Sequence, residues 1–144
     1  MNLLKIVLVL PFVFMLFGCT TYYISPESFK EQFKDINSTK LVMVQTVGPA
    51  GDVVRYPANP LRFIKCVDDK NQPVQLANSP SLEIRFTLND DSRTVFYFDQ
   101  LYLQDSLIIG NPSRFLPSVE AIPLHQVKLI EIQDGHKDFK YLDR

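Results

Sequence analysis

The sequence predicts a mainly β domain: one N-terminal helix followed by an antiparallel sandwich or small barrel of roughly six to eight short strands. Three observations carry this reading. Leu82, Ile84, Phe86 and Leu88 alternate with Glu83, Arg85 and Thr87, which gives one apolar and one wet face on an extended segment. Turn-forming clusters recur about every 8 to 12 residues, and the chain of 144 residues holds 10 Pro against 5 Gly, a balance that favours turns and edges over long helices. No helical pattern lies between the strand candidates, which disfavours a parallel α/β architecture.

The elements are read in chain order. Thr20 to Ile24 is read as a short linker. Ser25 is a good N-cap, Pro26 suits the first helical position and Glu27 favours the helix dipole. Phe29, Phe33 and Ile36 then fall on one stripe, which predicts a helix over 26–37 with its apolar face on the domain's own sheet. After Thr39 the period shortens to two. Leu41–Val47 is a strand, 48–52 a turn, and Val53–Tyr56 a short strand ending at Pro57. Leu61–Val67 is a strand, and 68–71 has turn composition. Residues 81–98 read as a hairpin turning at Asn89–Ser92. Gln100–Leu103, Ser106–Ile109 and Val127–Ile132 are further strands, 111–117 is a loop, and the polar tail from Asp134 is read as loose or a short helix.

The first residues read as an address and not as part of the fold. Lys5 is followed by an uncharged apolar run, Ile6–Phe17, of 12 residues. A membrane-spanning helix needs about 20, whereas about 12 suits the apolar core of a cleaved secretory leader. Leu16-Phe17-Gly18-Cys19 closes the run and resembles the lipobox of bacterial lipoproteins, with an aliphatic residue at −3, a small one at −1, then Cys. Phe17 stands where that family more often carries a small residue. The resemblance implies cleavage between Gly18 and Cys19, a diacylglycerol on the Cys19 sulfur, a lipidated linker over 19–25 and one domain over 26–144. Thr20 stands where Asp would imply retention at the inner membrane, so the resemblance implies an outer-membrane protein facing the periplasm. The competing reading is an ordinary leader or short anchor with Cys19 incidental. A second resemblance, over residues 81–132, is to small pleckstrin-homology-like or GRAM-like β domains, in the strand layout that ends in Ile122–Ile132 (IPLHQVKLIEI). Those folds finish with a capping helix, and no ligand is carried over from them.

Composition narrows the function classes. Fifteen Lys and Arg against 16 Asp and Glu give a formal charge of −1, and nothing in that balance suggests an electrostatic nucleic-acid binder. With Cys19 acylated, Cys66 is the remaining thiol, so no internal disulfide forms; its place in an apolar run marks it as a small core residue. No nucleophile-elbow pattern surrounds any Ser. Asp68-Asp69 and Asp90-Asp91 fall at turns, where Asp serves the backbone. Asp134 to Asp138 is read as a solvated turn and not a metal loop, and no cofactor is expected. Phe96, Tyr97 and Phe98 are consecutive, so one strand face cannot hide all three. Either both faces are covered, or these residues, with Tyr56 and Tyr102, form a binding surface. The sequence therefore points to a non-catalytic, lipid-anchored envelope protein that acts by protein or ligand contact. Its partners are the membrane, through the lipid on Cys19, and an envelope protein. The alternatives are a carrier holding a lipid or small apolar ligand in a barrel pocket, and an envelope hydrolase.

Overall fold

The structure, a computed structural model, describes residues 20–116 and 118–144. Gly18 and Cys19 lie outside the described residues. The described residues are mainly β, with one α-helix among them. Their elements run β1 (Thr21–Ile24), α1 (Pro26–Phe33), β2 (Val42–Val47), β3 (Val53–Ala58), β4 (Phe63–Val67), β5 (Pro73–Ala77), β6 (Leu82–Leu88) and β7 (Arg93–Tyr97). They continue with β8 (Tyr102–Gln104), β9 (Leu107–Gly110), β10 (Glu120–Pro123), β11 (Val127–Asp134) and β12 (Lys140–Tyr141). Single 3₁₀ turns sit at Ser38–Lys40, Phe98–Gln100 and Leu124–Gln126. The strands form an antiparallel six-stranded sheet in the order β5-β4-β1-β11-β6-β7 and two three-stranded sheets, β10-β9-β8 and β12-β2-β3. Of the two architectures the sequence left open, the sandwich is the one formed: the sheets do not close into a barrel. The described strands form no barrel interior for the pocket that the carrier alternative expects.

Alternation in β6 does what its pattern dictates. Leu82, Ile84 and Phe86 are buried. On the other face Arg85 pairs with Glu131, its direct cross-strand neighbour on β11, at 2.5 Å. Phe29 and Phe33 of α1 stack at 4.5 Å, Phe29 meets Phe86 edge-on at 5.4 Å, and Phe33 meets Phe98 at 5.8 Å. All four rings are wholly buried. Ser25 caps the helix as expected, its Oγ accepting from the Ser28 amide at 3.1 Å. The helix stops at Phe33 and not at Asn37, because Asn37 caps the next turn instead, its side chain accepting from the Thr39 amide at 3.0 Å. Ile36 is buried nonetheless.

The largest correction is at the start. Thr21–Ile24 is not a linker but β1, seated in the middle of the six-stranded sheet between β4 and β11. Four residues carry too little alternation to announce a strand, and its partner β11 lies over a hundred residues away. Three more strands escape the sequence for related reasons. β5 opens on a proline and is a sheet edge. β10 is a short EAIP segment, and β12 has two residues paired with β2. The tail is therefore docked, neither loose nor helical. β3 runs through Pro57 to Ala58, which an edge strand tolerates because a missing N–H can face away from its neighbour. The turn between β8 and β9 has Asp105 at φ 51° and Ser106 at φ 62°, the left-handed pair that closes a tight hairpin.

Ile108, Ile122 and Leu124 of the second sheet and its flanks join the main apolar core. Gly110 permits the close approach: a Cβ there would come within 2.7 Å of both the Phe96 ring and the Leu101 side chain. The third sheet is joined differently, through buried polar groups, and this join forms one wall of the site.

Candidate binding groove

An open groove of about 540 Å³ lies between the second and third sheets. Val54, Tyr56 and Pro57 of β3 line one side, Tyr102 of β8 and Ile109 of β9 the other, and the segment from Asn111 to Leu116 the rim. β3 is an edge strand, so its outer main-chain groups flank the groove without a neighbouring strand.

Asp99 lies behind the groove, holding the lining residues Tyr56 and Arg114. It follows β7 in the Phe98–Gln100 turn and is wholly buried. Its carboxylate accepts from the Tyr56 hydroxyl at 2.5 Å, the Tyr141 hydroxyl at 2.8 Å and Arg114 Nη2 at 3.3 Å. The Arg114 side chain is 6% exposed. It also donates to the Tyr56 hydroxyl at 3.1 Å and to the Pro80 carbonyl, and its guanidinium lies 4.0 Å from the Tyr97 ring centroid. Burial, and then the negative charge of Asp99, push the Tyr56 and Tyr141 hydroxyls well above the ordinary phenol range. Both therefore stay protonated at neutral pH and remain donors. Arg114 spends most of its donors inside the fold and acts as a tie between the rim segment, β3 and the end of β7. Asn59 completes the join: its side-chain amide donates to the carbonyls of Phe98 at 2.8 Å and Leu101 at 3.2 Å, and its main-chain carbonyl accepts from Arg144 Nη2 at 2.8 Å.

The structure separates the aromatic residues singled out in the sequence. Phe96 and Phe98 are core residues, 1% and 0% exposed, and are corrected out of any binding surface. β7 is covered on one face only: Phe96 points into the core, Val95 is 43% exposed and Tyr97 half-buried on the other face, and Phe98 is buried because the chain leaves the strand there for a 3₁₀ turn. Tyr56 and Tyr102 line the groove together. Tyr97 stands behind it, its ring carrying Arg114 and its hydroxyl accepting from Lys137 Nζ at 2.9 Å. Asp99, Arg114 and Tyr141 were not found from the sequence. Asp99 follows an aromatic run, Arg114 sits in a proline-flanked loop, and nothing local joins residues so far apart in the chain.

The remaining chemistry-bearing groups are placed as follows. Cys66 is buried, its thiol facing the Val74 carbonyl at 3.6 Å, and burial pushes its pKa up to about 11. Asp68 accepts from the Lys70 and Gln72 amides at 2.9 and 2.8 Å, and Asp90 from the Ser92 amide at 3.0 Å, so one carboxylate of each pair closes its own turn. Asp134 accepts from Ser81 Oγ at 2.6 Å and from the His136 amide at 2.9 Å. Among the described residues no three His, Cys, Asp or Glu side chains are grouped to hold a metal ion, and no helix is long and apolar enough to cross a membrane. Comparison with protein-family models, with curated proteins and with solved structures gives no match for this chain.

Proposed function

We propose that the protein is a lipid-anchored component of the bacterial cell envelope, held through Cys19, that works without catalysis by binding an extended, apolar segment of an envelope protein in its groove. The observation that carries the binding reading is the groove itself: an apolar trough of about 540 Å³ beside the free edge of β3. A peptide laid along such an edge gains main-chain hydrogen bonds, and alternate side chains reach the trough. The groove is open to water, which suits a partner that brings its own cover. A carrier would have to enclose an apolar cargo. The order Lys5, apolar run, Gly18, Cys19 supports the anchor.

Each half of the reading has its own experiment. Metabolic labelling with an alkyne fatty acid compares the wild type with Cys19→Ser, and the label is expected only on the wild type. Equal labelling of the two would remove the anchor. A photo-crosslinking amino acid at Val54, with Asp90 in the distant β6–β7 turn as control, is expected to trap one envelope protein in intact membranes. Ile109→Trp, which fills the trough, is expected to abolish that adduct. An adduct that survives the filled trough would overturn the groove as the binding site.

A further inference from the structure

We infer that Phe115, Leu116 and Val119 form a second membrane contact beside the acylated terminus, so that one rim of the six-stranded sheet rests on the bilayer. The inference rests on the proposed lipid anchor at Cys19 and adds to it an orientation. These three are the most exposed large apolar side chains among the described residues, at 86%, 67% and 68%; the next, Met43, is 58% exposed. The three stand at the mouth of the groove and remain this exposed there, so its walls do not cover them.

What covers them follows from the strand register. β1 begins at Thr21, so Thr20 alone separates it from Cys19. Two residues span at most ~7 Å, so the acyl-bearing residue stays close to Thr21. Thr21 is opposite Gln133, Gln133 opposite Glu83, and Glu83 opposite Tyr97. These four residues form one row across the sheet end, and three strand spacings put Tyr97 roughly 14 Å from Thr21. The apolar residues are fastened at that same end. The Tyr97 amide donates to the Asn111 carbonyl at 3.2 Å, and Arg114, the neighbour of Phe115, lies over the Tyr97 ring and donates to the Pro80 carbonyl. The lipid and the exposed apolar residues thus leave the molecule from one rim. Tyr97 and Lys137 sit there as well, bonded to each other, and both side-chain types favour the boundary between lipid and water. Two or three acyl chains hold a protein to the bilayer unaided. The second contact therefore fixes how the domain stands and leaves the anchoring itself to the lipid.

The test uses the full chain, purified from membranes and reconstituted into phosphatidylethanolamine–phosphatidylglycerol vesicles. An environment-sensitive nitrobenzoxadiazole label is placed at Ser118→Cys or, at the far end of the sheet, at Asp90→Cys. The label at 118 is expected to emit further to the blue and to be quenched several-fold more by shallow spin-labelled lipid than the label at 90. Adding Phe115→Asp and Leu116→Asp is expected to abolish that difference while flotation with the vesicles persists. If mass spectrometry shows Cys19 acylated and the label at 118 is as aqueous as that at 90, the inference is overturned and the anchor stands. If Cys19 carries no acyl group, the anchor falls; an aqueous label at 118 on the same vesicles then overturns the inference too, and a blue-shifted one upholds the contact on its own.

Discussion

Asp99 shows how much of the third sheet's attachment one side chain can carry. Three donors converge on it from β3, β12 and the rim segment, and the countercharge is Arg114, itself 6% exposed. Removing one member of a buried pair leaves the other charge uncompensated, at a cost of about 3–5 kcal/mol. Asp99→Asn is therefore expected to lower the stability measured by urea unfolding by about 3 kcal/mol. Tyr141→Phe removes one donor of three and is expected to cost about 1.5 kcal/mol. Losses below about 0.5 kcal/mol for both would show that the cluster is solvated. Cys66 gives a pH-dependent counterpart. Its thiol pKa rises on folding from an ordinary value of 9.0 to about 11. The folded state binds this proton more tightly than the unfolded one. Its contribution is therefore complete below pH 9 and is lost as pH rises towards 11, and the half-buried Tyr56 and Tyr141 act in the same direction. In the Cys19→Ser protein, Ellman's reagent at pH 8 is expected to react with Cys66 at the rate of opening, with urea accelerating it steeply. Prompt reaction in the native state would contradict the burial.

At the scale of elements, legibility follows how locally each one is determined. The cap and apolar stripe of α1 and the alternation of β6 are set by neighbours in sequence, so both were legible, and the helix end was misplaced only because Asn37 serves the following turn. β1, β5, β10 and β12 depend on partners that close over them, and their own residues say little. The same holds for the site: Tyr56 and Tyr102 were legible as amphipathic aromatics, whereas Asp99 and Arg114 acquire meaning only when the fold brings them together. The tail is the clearest case. A polar stretch after Asp134 looks dispensable, yet Tyr141 reaches Asp99, Arg144 reaches Asn59, and the Leu142 amide donates to the Gln45 carbonyl at 2.8 Å. Ending the chain after Asp138 removes all three, and the expected loss is about 3 kcal/mol if each hydrogen bond contributes about 1 kcal/mol. Hydrogen exchange should show β2 and β3 losing protection while β6 and β11 keep theirs. Uniform loss across all sheets would mean that the third sheet is not a separable unit.

At the scale of the molecule, β1 leaves the proposed anchor almost no tether, because Thr20 alone separates the strand from Cys19. With the acyl group proposed on Cys19, a flexible linker over 19–25 would let the body swing free of the bilayer, whereas a central strand starting at Thr21 would hold its rim close to it. Tether length should therefore control orientation without touching the fold. Inserting twelve Gly/Ser residues between Thr20 and Thr21 adds a flexible coil with an end-to-end distance of roughly 20 Å. The insertion precedes the first hydrogen-bonded residue of β1, so urea unfolding is expected to stay within about 0.5 kcal/mol of the wild type. With the label at Ser118→Cys, the vesicle-bound protein carrying the insert is expected to lose most of its blue shift, because the apolar rim no longer has to meet the bilayer when the acyl chains do. An unchanged shift would mean that Phe115, Leu116 and Val119 seek the membrane strongly enough to need no short tether. A lost shift accompanied by lost stability would mean that the insert had broken β1, and repeating it before Thr20 would separate the two effects.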